Sequence, residues 1–196
     1  MNVFGQRTSG PALGAAVGAL GVGSACQDEP VTSDRIRSAR LCLVPLAVAD
    51  ADEMVGVLSG AALYTFTGGS PPSLAELRAR YAGLAAGRSP DGREEWRNWV
   101  IRREPDQTAV GYVQATIVDG GTRAEIAWVV GLSWQRQGFA TEAARALTAW
   151  LDARGVTVIQ ARIHPDHAAS AGVARRAGLV PTGRSEDGEQ LWLRVR

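Results

Sequence analysis

From Arg40 onward, apolar residues either alternate or recur at helical spacing, and glycine, proline and aspartate mark the breaks between runs. The run Arg40-Leu-Cys-Leu-Val-Pro-Leu46 alternates imperfectly and stops near Pro45, which predicts a first strand that proline confines to an edge or an end. Asp50 then starts a helix with Met54, Val55 and Leu58 on one face; Glu53 completes a capping-box pattern and Gly60 is the stop. A short apolar run from Leu63 ends in Gly68-Gly-Ser-Pro-Pro72, after which Ser73 caps a second helix carrying Leu74, Leu77, Tyr81 and Leu84. Residues 96–103 alternate as a half-buried strand, Asp106 makes a turn, and residues 108–118 form a long strand. Asp119-Gly120-Gly121 closes a hairpin into residues 124–130, so three antiparallel strands are expected in succession.

Beyond a short polar loop, Ala144, Leu147 and Leu151 share one helical face over residues 141–154, with Gly155 as the stop. The β-branched residues 156–163 are expected to return beside residues 124–130 through a βαβ crossover. A short helix over residues 168–177 ends at Gly178, and residues 179–184 and 191–195 read as two last strands turned around Asp187-Gly188. No internal repeat or shift in composition marks a second folding unit.

The 196 residues suffice for one domain with a buried core. A net charge of +1, from 21 basic and 20 acidic residues, implies no broad attraction to nucleic acid or an acidic membrane. Cys26 and Cys42 form neither a disulfide framework nor a metal spacing and fit a reducing compartment. Residues 11–25 are almost wholly Ala, Gly, Val and Leu, but glycine interrupts them, only Arg7 precedes them as a cation, and leucine is missing three residues before Cys26. Residues 1–38 are therefore read as a disordered leader and linker rather than an export signal, with the domain spanning 39–196. No stretch has the length and hydrophobicity of a transmembrane helix.

The loop Gln135-Arg136-Gln137-Gly138-Phe139-Ala140, with Thr141 opening the helix, lies between a strand and a helix, where unpaired backbone N–H groups and the positive end of the helix dipole favour phosphate. Bulk at Gly138 or Ala140 would hold a diphosphate away from the backbone. The loop lacks the Gly-Lys-Ser/Thr ending of a P-loop and the glycines of a dinucleotide fingerprint. It resembles the Q/R-x-x-G-x-G/A signature of the GNAT acyltransferases through Gln135, Gly138 and Ala140. The flanking stretches carry the likeness further: Glu125-Ile-Ala-Trp-Val-Val-Gly131 before the loop, then Thr141-Glu-Ala143, His164-Pro-Asp-His-Ala-Ala-Ser170 and Arg175-Arg-Ala-Gly-Leu179. Their order is similar to the branch containing the ribosomal-protein N-terminal acetyltransferases, from about Arg40 to the C-terminus.

The resemblance implies an α/β fold of GNAT type, a mixed and mostly antiparallel sheet of about six to seven strands with helices on both faces. It also implies acetyl-CoA as co-substrate, its diphosphate on residues 135–141 and its pantetheine arm along Val129 and Val130, with no metal. Acetyl transfer to an amine needs a base, a fixed thioester and a protonated leaving thiolate. Glu125 shares a strand face with Val129 and is the candidate base; the alternative is a carboxylate paired with Arg123 or another arginine. The tyrosine common in the family is replaced by Ala174, and Ser170 is the residue named in its stead to hydrogen-bond the sulfur; a packing or capping hydroxyl is the alternative. His167 stands where the family has asparagine and could still donate one hydrogen bond to pantetheine. His164 and His167 lack further ligands for a metal. Arg136, Arg175 and Arg176 are candidate phosphate contacts. Tyr64, Phe66 and Trp128 are the candidates for acceptor contact, with core aromatics as the alternative for Tyr64 and Phe66.

The expected activity is direct N-acetylation of a primary amine on a protein N-terminus, an antibiotic or a small metabolite, by a cytoplasmic monomer or homodimer without nucleic-acid or membrane partners. The rival expectation is a GNAT-fold protein that binds CoA or a partner without catalysis.

Overall fold

A computed structural model describes residues 34–104 and 106–196. Eight strands form one sheet: β1 (Ile36–Arg37), β2 (Leu41–Pro45), β3 (Glu95–Arg103), β4 (Ala109–Val118), β5 (Arg123–Val130), β6 (Val158–Ile163), β7 (Val180–Glu186) and β8 (Glu189–Val195). They lie in the order β1-β2-β3-β4-β5-β6-β8-β7, all neighbours antiparallel except β5 and β6. The four α-helices are α1 (Ala51–Val57), α2 (Leu74–Leu84), α3 (Phe139–Ala153) and α4 (Ala168–Arg176). No helix among the described residues is long and apolar enough to cross a membrane.

Alternation along the strands divides the apolar residues between two cores. Val113, Ala115, Ile126 and Ile159 meet Phe139, Leu147 and Leu151 of α3 and Ala174 of α4. On the other face, Val100 and Tyr112 meet Met54 and Leu58 from α1 and Leu77 and Tyr81 of α2. The expected placement of helices on both faces is thus what the strand pattern builds, at about 1.5–3 kcal/mol for each large side chain buried. Ser73 caps α2 as expected, its hydroxyl accepting from Glu76 N–H while Ser73 N–H donates to the Glu76 carboxylate at 2.8 Å.

The structure corrects three expectations. Asp50 does not cap α1 with Glu53. Its carboxylate instead accepts from Ala47 N–H at 2.8 Å and from Arg102 at 2.7 Å, while Glu53 accepts from Ala109 N–H and Arg102. Arg102 is largely buried, so it draws both carboxylates to a site where a lone guanidinium would be costly. The sheet also begins earlier than residue 39. Ile36 and Arg37 pair with Leu43 and Cys42, and Asp34 holds Arg97 and Arg154 through its carboxylate and Trp99 Nε1 through its carbonyl. Linker character up to Ser38 therefore fails at Asp34; the remainder of the expected leader, 1–33, lies outside the described residues. The third correction concerns β6, which does not run beside the whole of β5: their pairing covers only Arg123–Glu125.

Candidate active site

The short β5–β6 ladder produces the central feature of the site. On its other side β5 is paired along its full length, Val118 opposite Arg123 through Gly111 opposite Val130. Gly111 permits this close approach: a Cβ there would lie 2.1 Å from the Val129 carbonyl oxygen. Gly131 N–H donates to Val110 carbonyl at 2.9 Å, so backbone alternation points Val129 towards β4 and turns Trp128 and Val130 away from it. Beyond the last β5–β6 pair, Glu125 with Gln160, the backbone of Trp128 and Val130 faces the opening between the diverging strands. Gln135 Nε2 takes the Val130 carbonyl at 3.0 Å, tying the loop to the strand, and the Val130 N–H remains on the open side.

The loop after β5 completes this opening. Gly138 is the N-cap residue of α3 at φ 84°, and Arg136 is also left-handed at φ 63°. Left-handed residues at these two positions curl the backbone so that successive N–H groups converge on one side. The first bonded amide of the helix is Glu142, to Gly138 carbonyl at 3.0 Å, which leaves the N–H groups of Phe139, Ala140 and Thr141 at the helix start. Phe139 is buried in the larger core, so its side chain is turned away from the loop surface and only its amide is left there. Arg136 is exposed, and the Gln137 side chain reaches back to Ser133 carbonyl at 3.4 Å.

Glu125 lies beside the opening on the face of α1 and α2. Gln160 Nε2 donates to its Oε2 at 2.8 Å, and Arg162 approaches the same oxygen at 3.4 Å. Oε1 has no hydrogen-bond partner among the described residues. The arginine-paired alternative and the role of base are therefore not exclusive: one oxygen is held, the other is open. Arg162 is shared with Glu186 at 3.2 Å. Trp128 packs against the α3 and α4 core, so its side chain leaves the opposite face from Glu125.

Phe66, from the α1–α2 connection, stacks on His167 at 4.5 Å between ring centroids and tilts against His164 at 5.3 Å. His167 is the residue before α4 and makes no side-chain cap. Burial, with the neighbouring His164, pushes its imidazole below the usual histidine range. His164 Nδ1 accepts from Asp166 N–H at 3.2 Å, which leaves the proton of the neutral ring on Nε2. Ser170 is half-buried in the first turn of α4 and its hydroxyl has no partner among the described residues. Tyr64 is buried with its hydroxyl on Leu58 carbonyl at 3.0 Å, and burial, against the pull of Arg80, raises its pKa. Of the two loop aromatics, only Phe66 reaches the start of α4.

Several contacts at the site carry no sequence signal. Gln160 and Arg162 meet Glu125 only through the β5–β6 register, and Arg40 meets Glu142 across 102 positions. Two histidines and a phenylalanine far apart in sequence become one ring cluster. Among the described residues no three of His, Cys, Asp or Glu gather as metal ligands. A surface depression of about 470 Å³, lined by Ala86, Arg88, Glu94 and Arg97, lies at the other end of the sheet from the loop.

Solved structures share this architecture. A Salmonella typhimurium acetyl transferase that modifies the N-terminal serine of a 50S ribosomal subunit protein is 19% identical, with a TM-score of 0.67 over 81% of this chain and 96% of its own. The microcin C7 self-immunity acetyltransferase MccE, solved with acetyl-CoA and AMP, is 16% identical, with a TM-score of 0.69 over 86% of this chain and 100% of its own. An aminoglycoside acetyltransferase in complex with coenzyme A is 19% identical, with a TM-score of 0.65 over 80% of this chain and 95% of its own. At such identities the likeness is one of fold. No curated protein sequence matches the chain. The family described as the acetyltransferase (GNAT) domain matches residues 40–180, most of the chain, and the splayed strands and loop fall within that span. The chain belongs to the GNAT acetyltransferase family.

Proposed function

We propose that this GNAT acetyltransferase passes the acetyl group of acetyl-CoA directly to a primary amine, with the diphosphate on residues 135–141 and the pantetheine arm in the opening beside β5. The observation that carries this reading is the divergence of β5 from β6. It leaves the backbone groups of Trp128 and the N–H of Val130 free to pair with an extended amide-bearing chain, as a missing strand would. In this reading Val130 N–H meets the thioester oxygen as charge develops on it. The amine nitrogen attacks the thioester carbon from the Glu125 side, its proton passes to Oε1 directly or through water, and the C–S bond breaks. Ser170 gives a hydrogen bond to the departing thiolate, which takes its proton from water, and His167 replaces the usual amide contact to pantetheine.

Direct transfer is favoured over a covalent acetyl-enzyme because Cys42, on β2, is buried in the sheet. Phe66 contacts the acceptor, and Trp128 acts through its backbone. The acceptor is a peptide or protein N-terminus, an antibiotic amine or a small metabolite. The catalytic unit works as a monomer or homodimer, without a metal and without nucleic-acid or membrane partners, in the cytoplasm where acetyl-CoA is made. Thiol release from acetyl-CoA against a panel of peptides, aminoglycosides and small amines tests the reading. An acetylated amine with one equivalent of free thiol supports it; acetyl-CoA binding with no thiol release from any amine class overturns it.

A further inference from the structure

Arg40 lies outside the loop in sequence but stands over it in space. The residue precedes β2, and its backbone N–H donates to Glu142 Oε1 at 2.7 Å. Its side chain then returns to the same carboxylate, Nε at 2.8 Å and Nη2 at 2.7 Å from Oε2. Nη1 donates to Gln137 carbonyl at 3.1 Å, and the guanidinium carbon lies 4.9 Å from the centre of the Phe139 ring. Ser38 adds a hydroxyl to Glu142 at 2.8 Å. Burial opposes ionisation of Glu142, but the hydrogen bonds from Ser38 and Arg40 outweigh it and hold the carboxyl below its usual range.

A guanidinium fixed in this way has few free directions. One hydrogen on Nε and one on each Nη are engaged, which leaves one on Nη1 and one on Nη2. Nη2 is the atom that a Cβ on Gly138 would meet, at 3.4 Å, so these donors border the left-handed turn of the loop. The side chain is half exposed, and nothing described covers it. Two outward N–H groups on a planar cation suit two phosphate oxygens.

Resting on the acyl-CoA reading of the loop, we propose that Arg40 is a binding residue for the diphosphate of the acyl donor, oriented for that task by Glu142 and Ser38. Glu142 serves as the anchor: it holds the guanidinium in place and is itself neutralised, so that its charge does not repel the ligand.

Calorimetry on Arg40→Met and Arg40→Lys tests the assignment, with acetyl-CoA, inorganic pyrophosphate and S-acetyl-pantetheine, which lacks the diphosphate, as probes. Arg40→Met is expected to weaken acetyl-CoA roughly ten- to hundredfold, the loss of one or two charge-assisted hydrogen bonds. Pyrophosphate competition is expected to weaken in parallel, S-acetyl-pantetheine to bind the variant and wild type alike, and Arg40→Lys to lose less. If Arg40→Met does not fold, Arg40→Lys carries the same comparison between donors. Equal losses for both donors, or no loss for acetyl-CoA, would overturn the role. Failure of wild type itself to bind acetyl-CoA would instead remove the reading of the loop on which the proposal rests.

Discussion

Glu125→Gln separates chemistry from stability because the two effects differ widely in size. The wild-type carboxylate is about one quarter exposed and meets Arg162 at 3.4 Å, a pair of the partly solvated kind worth under about 1 kcal/mol. Glutamine keeps an oxygen for Gln160 Nε2, and Arg162 retains Glu186 at 3.2 Å, so no buried charge is stranded. The melting temperature should then fall by no more than about 2–4 °C, the shift that 1 kcal/mol produces in a domain of this size. Loss of a general base should lower turnover by roughly 10²–10⁴-fold, or about 2.7–5.5 kcal/mol of barrier. The assay is initial-rate thiol release from about pH 6 to 10 with the best amine, beside calorimetry with acetyl-CoA. Affinity should hold, while turnover should recover in part at high pH as free amine becomes abundant. Turnover within a few-fold of wild type across that range would refute the reasoning and make Glu125 a structural partner of Arg162.

Two further outcomes test the geometry. A chain starting at Ala39 should be less stable than one starting at Asp34 by about 2–4 kcal/mol, since it loses buried Ile36 and the Asp34 contacts to Arg97, Trp99 and Arg154; equal denaturant midpoints would contradict this. His167 is held below its usual pKa, so the unfolded chain takes up the proton first; its neutral form supports the fold above the unfolded value, near pH 6.5, and that support is lost as pH falls through the lower folded value. His167→Asn should therefore flatten the fall in melting temperature below about pH 6.5, and an unchanged slope would assign the acid sensitivity elsewhere.

What was legible in the sequence was local. Ser73 and Glu76 form the capping box because both partners lie within one turn and nothing else competes for them. Asp50 and Glu53 have the same spacing, yet Arg102 on β3, about fifty positions away, takes both carboxylates. Ile36 and Arg37 carry too short a pattern to show as a strand, and it is pairing with β2 and burial of Ile36 in the larger core that hold them. The strand, loop and helix at residues 123–153 were readable because Gly138 and the flanking apolar runs are contiguous. The divergence of β5 from β6 has no sequence period, being a matter of where a ladder stops. Arg40 over Gly138 and Phe66 on His167 likewise depend on the sheet order and on the crossing of the α1–α2 connection to the start of α4.

The most direct test of the central claim is an acetyl-CoA titration of wild type and Gly138→Asp, each confirmed folded by circular dichroism. Asp is among the side chains that accept a left-handed residue at modest cost, so the φ of 84° at this position need not unfold the loop. Its carboxylate would stand where the N–H groups of Phe139, Ala140 and Thr141 meet the diphosphate. Wild type should saturate with a single class of site, and the variant should bind at least about a hundredfold more weakly, two tenfold steps of about 1.4 kcal/mol each. Equal affinity in the two folded proteins would contradict the claim that this loop holds acetyl-CoA.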